Sequence, residues 1–463
     1  MSKITKQSYR SRPGRKGSLT PGLQGKSLSR RDFLRVLGVS ALGTSLAACG
    51  RGNATQSGSP SANIVYQDWR TEWFPPMVEE MLPLFHNQHP GVRVFFTPDP
   101  ENYIQDMSAD LEAGYAPDVF QGCCTHFPAW AQQGYLLDLE PLVQRDLDPQ
   151  IIEDWDRAQV EALITEDGLR FGLPKYHGTL ALYFNKDIFD QYSVDYPDES
   201  WDYDDYLMAM KLLRKQDATS DEVVHWGSAL DISWDRIQVH INAWGGHIVD
   251  PQDATKSRLA EQQAVSAMEW IRARIWDDHV MPSPLDLKGL NITNAFLAGK
   301  LAMVEDGSWS LKSILSNAGF RLGVAPLPSG PARRATIATT DGFGIFADTG
   351  QPEAAWELMK FLISKDYGLA MAGANLLQPS RSSLVDDWIK IARDEFPSQT
   401  KDLDLAAFAD GAREGYSVNA EIFANMPAVK RMIEDAWDQI FVLGDEPVAI
   451  MHNISKQVDE AHE

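Results

Sequence analysis

Asn63-Ile64-Val65-Tyr66, Val92-Arg93-Val94-Phe95-Phe96 and Pro117-Asp118-Val119-Phe120 are three short apolar runs, and what separates them decides the fold. Between the first two, residues 76–86 set Met77, Met81, Leu82 and Phe85 at helical spacing. Between the second and third, residues 102–113 do the same with Tyr103, Met107 and Leu111. Strands that alternate with helices form a largely parallel sheet with helices on its faces. In open α/β sheets of this kind a ligand collects beyond the carboxyl ends of the strands. That rule makes a candidate site of the next segment, Gln121-Gly122-Cys123-Cys124-Thr125-His126.

The alternation continues outward. Phe171-Gly172-Leu173-Pro174-Lys175-Tyr176-His177 leads into a strand at Ala181-Leu182-Tyr183-Phe184, closed by Asn185-Lys186-Asp187. Trp201-Asp202 opens a helix through Leu207, Met210 and Leu213. A helix over 311–320 precedes a strand near 322–325, 352–364 reads as an amphipathic helix, and the chain is mostly helical from Trp388 on. No repeat of fixed period is visible, which weighs against solenoids and propellers. A chain of 463 residues is too long for one ordinary core, so two lobes are expected.

The net charge of -23 averages two different objects. Residues 1–48 hold ten Lys and Arg against one acid, Asp32, which leaves -32 for positions 49–463. A body that acidic repels phosphate backbones, so nucleic-acid binding is not expected. Within the basic segment, Arg30-Arg31 precedes a mildly apolar run too short to span a bilayer, and Leu46-Ala47-Ala48-Cys49-Gly50 follows. The order resembles a twin-arginine export signal ending in a lipoprotein box, with Cys49 as the lipidated residue and 1–48 removed. Residues 49–62 are rich in Gly, Ser, Asn and Pro, as a flexible tether would be. The body is then expected outside the cytoplasmic membrane, held by lipid.

Signatures of catalysis are missing from the sequence: there is no nucleophile elbow, phosphate loop, His-Glu-x-x-His helix or Cys-x-x-Cys pair. Asp231 with Asp235 could be nominated for glycoside hydrolysis, but two acids in sequence prove nothing. His86 and His89 could share a metal, although a solvated helix end before Pro90 explains them as well. No enzyme activity, cofactor or metal is expected.

Several segments in order resemble the extracellular solute-binding proteins of ABC importers, above all the sugar-binding group that includes maltose-binding protein. They are Pro117-Asp118-Val119, Gly134-Tyr135-Leu136-Leu137-Asp138-Leu139, Gly172-Leu173-Pro174 with Tyr183-Phe184-Asn185-Lys186-Asp187, Trp244-Gly245-Gly246, the run from Ala295 to Met303 with Gly307-Ser308-Trp309, Pro326-Leu327-Pro328-Ser329-Gly330, and the run from Pro352 to Leu362. The resemblance implies a two-lobed α/β periplasmic-binding-protein-like fold with a ligand cleft, several hinge crossovers, and closure around the ligand. It implies a first lobe of 63–181 and 343–390, a second of 182–342 and 391–463, a crossover near 180–182 and a return near 341–346. The partners implied are a small solute and the membrane permease, with the receptor a monomer.

A sugar offers apolar C–H faces and directional hydroxyls, which aromatic platforms rimmed by polar groups answer together. The candidates are Thr125 and His126, from the rule about strand carboxyl ends, and, by the positions the resemblance implies, Trp69, Arg70, Tyr176, His177, Trp234, Asp235, Trp244, Asp306, Trp309, Asp341 and Arg381, with Trp309 at the stacking position. Where maltose-binding protein has an aromatic residue and an Asp-Arg pair, this chain has Gly122 to His126, which weighs against maltose itself. Cys123 and Cys124 read either as reduced, buried thiols or as a vicinal disulfide forming one wall of the cleft. The expected solute is a sugar or similar polyhydroxylated compound. A glycerol-phosphodiester or a polyamine is the alternative solute, and a lipid-anchored glycan hydrolase the alternative class.

Overall fold

A computed structural model of the chain describes residues 61–220 and 222–462. The expected signal segment, Cys49 and the tether up to residue 60 lie outside the described residues.

The strand Ala62–Asp68 lies between Val92–Pro98 and Val119–Gly122 and runs parallel to both. Gly342–Ile345 then pairs antiparallel with Val119–Gly122, and Leu173–Pro174 pairs antiparallel with Gly342–Ile345, completing five strands. The helix Phe74–Gln88 starts with prolines in its first turn, where a missing N–H leaves no bond unmade. It buries Phe74, Met77, Val78, Met81, Leu82 and Phe85 on one face, and Phe85 meets Phe361 of the helix Pro352–Leu362 at 5.5 Å. Each such side chain contributes about 1.5–3 kcal/mol by leaving water.

A second sheet is built on Leu180–Asn185, which pairs antiparallel with Met303–Gly307 on one side and Leu322–Ala325 on the other. All six of its residues are buried. Leu182 and Phe184 face one core while Ala181 and Tyr183 face another, so the strand reads as a continuous apolar run instead of alternating. The helix Tyr203–Leu213 beside it begins with a capping box in which Asp202 accepts from the amides of Asp204 and Asp205 at 2.9 and 3.0 Å.

The chain passes between the two sheets along adjacent segments. Lys175 N–H donates to the Asp341 carbonyl at 3.0 Å, Thr339 N–H to Gly178 at 3.1 Å, and His177 N–H to Gln378 at 2.9 Å. Gln159 Nε2 ties two of these segments together by donating to the carbonyls of Tyr176 and Thr339 at 2.7 and 3.0 Å. The first crossing is complete before residue 180, earlier than the resemblance implied, because Leu180 and Ala181 already pair with Gly307 and Asp306. The last crossing is also earlier. Trp388, in the helix Val385–Glu395, packs on Phe408, which in turn meets Tyr183 of the second sheet.

Gly178 stands where two crossing segments touch: a Cβ there would lie 2.6 Å from Thr339 Oγ1 and 2.7 Å from its Cγ2. Gly178→Ala is therefore expected to destabilise the protein by about 1–3 kcal/mol in urea unfolding. Adding Thr339→Ala should restore part of that loss.

Candidate functional site

The pairing register brings the ends of five strands of the first sheet to one edge. Asp68 ends the first strand, Asp99 follows the second and Cys123 the third; Lys175 follows Leu173–Pro174, and Asp341 precedes Gly342. At the centre of that edge Lys175 and Asp68 form an ion pair with both side chains wholly buried. The ammonium sits 3.1 Å from the Trp69 ring centroid and 4.7 Å from that of Phe74. Asp68 accepts further bonds from the Tyr66 hydroxyl at 2.6 Å and the Trp69 amide at 2.7 Å. Burial pushes the carboxyl of Asp68 up and the ammonium of Lys175 down, and each charge opposes the shift of the other.

Two more acids stand beside the pair. Burial, reinforced by the charge of Asp68, raises Asp99 to about 7, against the attraction of Lys175 and a bond from Gln121 Nε2 at 3.0 Å. Burial raises Asp341 to about 6, opposed by bonds from Thr339 and from the hydroxyl of Tyr176. Tyr176 itself meets the edge of Trp69 at 5.5 Å. Arg70 Nε donates to the Asp99 carbonyl at 2.5 Å.

The facing edge of the second sheet is aromatic and charged. Leu180, the first residue after the crossing, pairs with Gly307, so the turn Ser308–Ser310 carries Trp309 to the side where the lobes meet. The indole packs against the cores of both lobes. It folds back over its own strand end, where a Cβ on Gly307 would lie 2.2 Å from the ring. Arg236 lies 5.0 Å from the Trp309 centroid, bonds Asp235 at 2.6 Å and stands 3.8 Å from Asp306. Asp306 is held by the Thr293 hydroxyl at 2.6 Å and the Gly307 amide at 2.7 Å. A cavity of about 510 Å³ is lined in part by Asp231, Arg236, Asp306 and Trp309. His126 packs against Tyr103 and Trp130 in the first lobe, at 5.6 and 4.8 Å between ring centroids, and its pKa falls to about 4 through burial and then through the positive charge of Lys430 in the helix Met426–Phe441.

The family model of the bacterial extracellular solute-binding protein matches residues 67–368. The chain belongs to that family. Membership carries with it an extracytoplasmic location for the folded body of this solute-binding protein. A galactooligosaccharide-binding protein of Bacillus subtilis is 23% identical over 364 residues, covering 75% of this chain and 80% of the relative. The fold matches the substrate-binding protein Lmo0181 of Listeria monocytogenes in complex with cycloalternan, with a TM-score of 0.74 at 21% identity over 87% of this chain and 99% of that one. It also matches UgpB of Mycobacterium tuberculosis in complex with glycerophosphocholine, with a TM-score of 0.69 at 19% identity over 87% and 98%.

The binding protein's structure gathers Trp69, Arg70, Thr125, His126, Tyr176 and Asp341 at the first edge, and Asp235, Asp306 and Trp309 at the second. Four expected residues are turned elsewhere. The indole of Trp234 donates to the Glu421 carbonyl at 3.0 Å and packs on Phe423 and Trp437, within the second core. Trp244 meets Tyr203 and Trp270 at 4.5 and 5.7 Å. His177 lies 2.9 Å from Asp156 and 3.2 Å from Gln378, both side chains behind the crossing segment. Arg381 donates to the Ile363 carbonyl. Cys123 and Cys124 are both free thiols here, as the plainer reading has them, with Cys123 partly buried and Cys124 exposed. Lys175, Asp99, Gln121 and Arg236 were not among the expected residues. A wider crevice of about 1430 Å³, between residues 128–171 and residues 242–254 with 412–424, is lined by none of the expected residues.

Lys175→Met leaves the Asp68 charge buried without a partner and should cost about 3–5 kcal/mol in urea unfolding. Adding Asp68→Asn should recover part of it. For Asp99 the folded state binds the proton more tightly than the unfolded chain, so the stability that proton lends is full below about pH 4 and is lost as pH rises through 7. Asp99→Asn is neutral throughout. It should exceed the wild type by on the order of 2 kcal/mol at pH 8, with the difference shrinking steadily toward pH 4.

Proposed function

We propose that this protein is the receptor of an ABC importer that captures a sugar, or a similar polyhydroxylated solute, between its lobes and presents it to the membrane permease. The observation that carries the reading is Trp309. An aromatic plate stands where the lobes meet, with Asp306 and Arg236 at its rim, opposite an edge furnished with Trp69, Tyr176 and the carboxyl groups of Asp99 and Asp341. An indole covers the apolar face of a pyranose, and the carboxylates accept from its hydroxyls. Sugar ligands of the relatives support the same class.

The charges weigh against a phosphodiester. Lys175 is paired with Asp68, Arg236 with Asp235, Lys430 with Glu434 at 3.7 Å, and Arg70 is held by a carbonyl. A phosphate group calls for cations free to converge on it. The reading extends to the N-terminus: twin-arginine export, lipid on Cys49, and a monomeric receptor that binds its solute without altering it.

The test is a thermal-shift series with oligosaccharides, glycerophosphocholine and spermidine, with the solute analysed afterwards. Sugars should raise the melting temperature in proportion to occupancy and be recovered intact. Trp309→Ala should weaken sugar binding about tenfold or more while leaving the ligand-free melting temperature within a few degrees. Cleavage of the glycan, or a response to spermidine or glycerophosphocholine alone, would overturn the reading.

A further inference from the structure

The strand Val119–Gly122 delivers Cys123 and Cys124 to the carboxyl-end edge of the first sheet. Their sulfurs lie 2.8 Å apart, facing one another although they belong to neighbouring residues. Side chains of consecutive residues in extended backbone point to opposite sides. Here Cys124 adopts φ of 55°, a left-handed conformation that costs a non-glycine residue about 1–2 kcal/mol. The Cys124 carbonyl is anchored by the Thr340 hydroxyl at 3.0 Å, one residue from Asp341. The turn therefore holds two thiols together beside the proposed solute site, with Cys124 open to solvent. The bond with Cys124, then burial, keeps the Cys123 thiol well above its usual range, so the exposed partner is the one placed to react first.

We propose that Cys123 and Cys124 are a reversible oxidation site on the cleft wall, closing to a vicinal disulfide by exchange with an external low-molecular-weight disulfide and thereby changing affinity for the solute. The Cys124 thiolate attacks one sulfur of the external disulfide, forming a mixed disulfide and releasing one thiolate. The Cys123 thiolate then attacks the Cys124 sulfur, closing the ring and releasing the second. The two cysteines lose two electrons, the external disulfide gains them, and the two cysteine protons pass to the two released thiolates. Neighbouring Cα atoms are about 3.8 Å apart, closer than the roughly 4.4–6.8 Å that an unstrained disulfide spans. The ring is thus strained, and strained, exposed disulfides are the readily reduced ones. Closing it replaces two thiol donors by an apolar, polarisable face beside Tyr176 and Asp341. The change in affinity rests on the solute-binding reading above; the disulfide does not.

The test incubates the full chain with oxidised glutathione and maps peptides by mass spectrometry, with and without reductant. The peptide holding both cysteines should lose two hydrogens and regain them on reduction, and Cys123→Ser should trap a glutathione adduct on Cys124. Free alkylation of both thiols after oxidation, or a link to Cys49 instead, would overturn the disulfide site. The dissociation constant for the best-binding sugar should then differ at least about fivefold between the two redox states of the same preparation. Equal affinities with the ring formed would overturn the effect on capture. Failure of every sugar to bind either state, with the ring formed, would overturn the sugar reading and the effect on capture while leaving the oxidation site standing.

Discussion

A lysine and an aspartate with no exposed side-chain surface are an expensive way to fill the middle of a lobe, and the first edge is organised around them. Lys175 comes from the segment that crosses between lobes, and Asp68 from the end of the central strand, so their contact fixes the crossing against the sheet. Removing two charges from water costs several kcal/mol per ion, offset only when geometry and further hydrogen bonds are good. Here the ammonium is closed over by Trp69 and the carboxylate takes bonds from Tyr66 and a backbone amide. Tyr66 passes the restraint on to Tyr367, 3.1 Å away, and so to the helix Lys365–Asn375. The same pair adjusts the titration of Asp99, which burial raises first: the charge of Asp68 adds to that shift and the charge of Lys175 opposes it.

The crossing segment also presents different side chains on its two sides. Tyr176 turns toward Trp69 and Asp341, and its neighbour His177 turns toward Asp156 and Gln378, as consecutive residues of an extended chain must. The wider crevice includes Asp156 among its walls and lies on the His177 side. Size therefore does not identify the site; chemistry does. Rings, carboxylates and the strand ends converge on the Tyr176 side.

Much of this was legible from patterns. Three apolar runs separated by helical spacing gave the first sheet, and the rule about carboxyl ends led to Cys123 through His126. The mixed edge was not legible, because Leu173–Pro174 is two residues long and Gly342–Ile345 carries two glycines, too little pattern to register. Lys175 carries no pattern that marks it as buried, since it follows a two-residue strand; only its three-dimensional partner, Asp68, shows its place. Asp99 was within reach, since it follows the second strand as Asp68 ends the first. Trp234 and Asp235 illustrate the opposite failure. Adjacent helical residues point about 100° apart, so Trp234 enters the core while Asp235 stays partly exposed and bonds Arg236, and a motif that joins them assigns both to one face.

The order of the strands in the first sheet has a consequence for the chain's history. Its fourth strand is Gly342–Ile345, and the Tyr367 that supports Tyr66 comes later still, while the whole second sheet is made of residues between 180 and 325. The lobe that is begun first is thus finished after its partner's sheet, and the buried charge pair has no complete shelter until more than 360 residues have been synthesised. Contacts of such long sequence separation are slow to form and leave apolar strand edges open while they wait. A nascent copy of this protein spends most of its synthesis with an unfinished first lobe, and chain that stops short of Tyr367 lacks the means to close it.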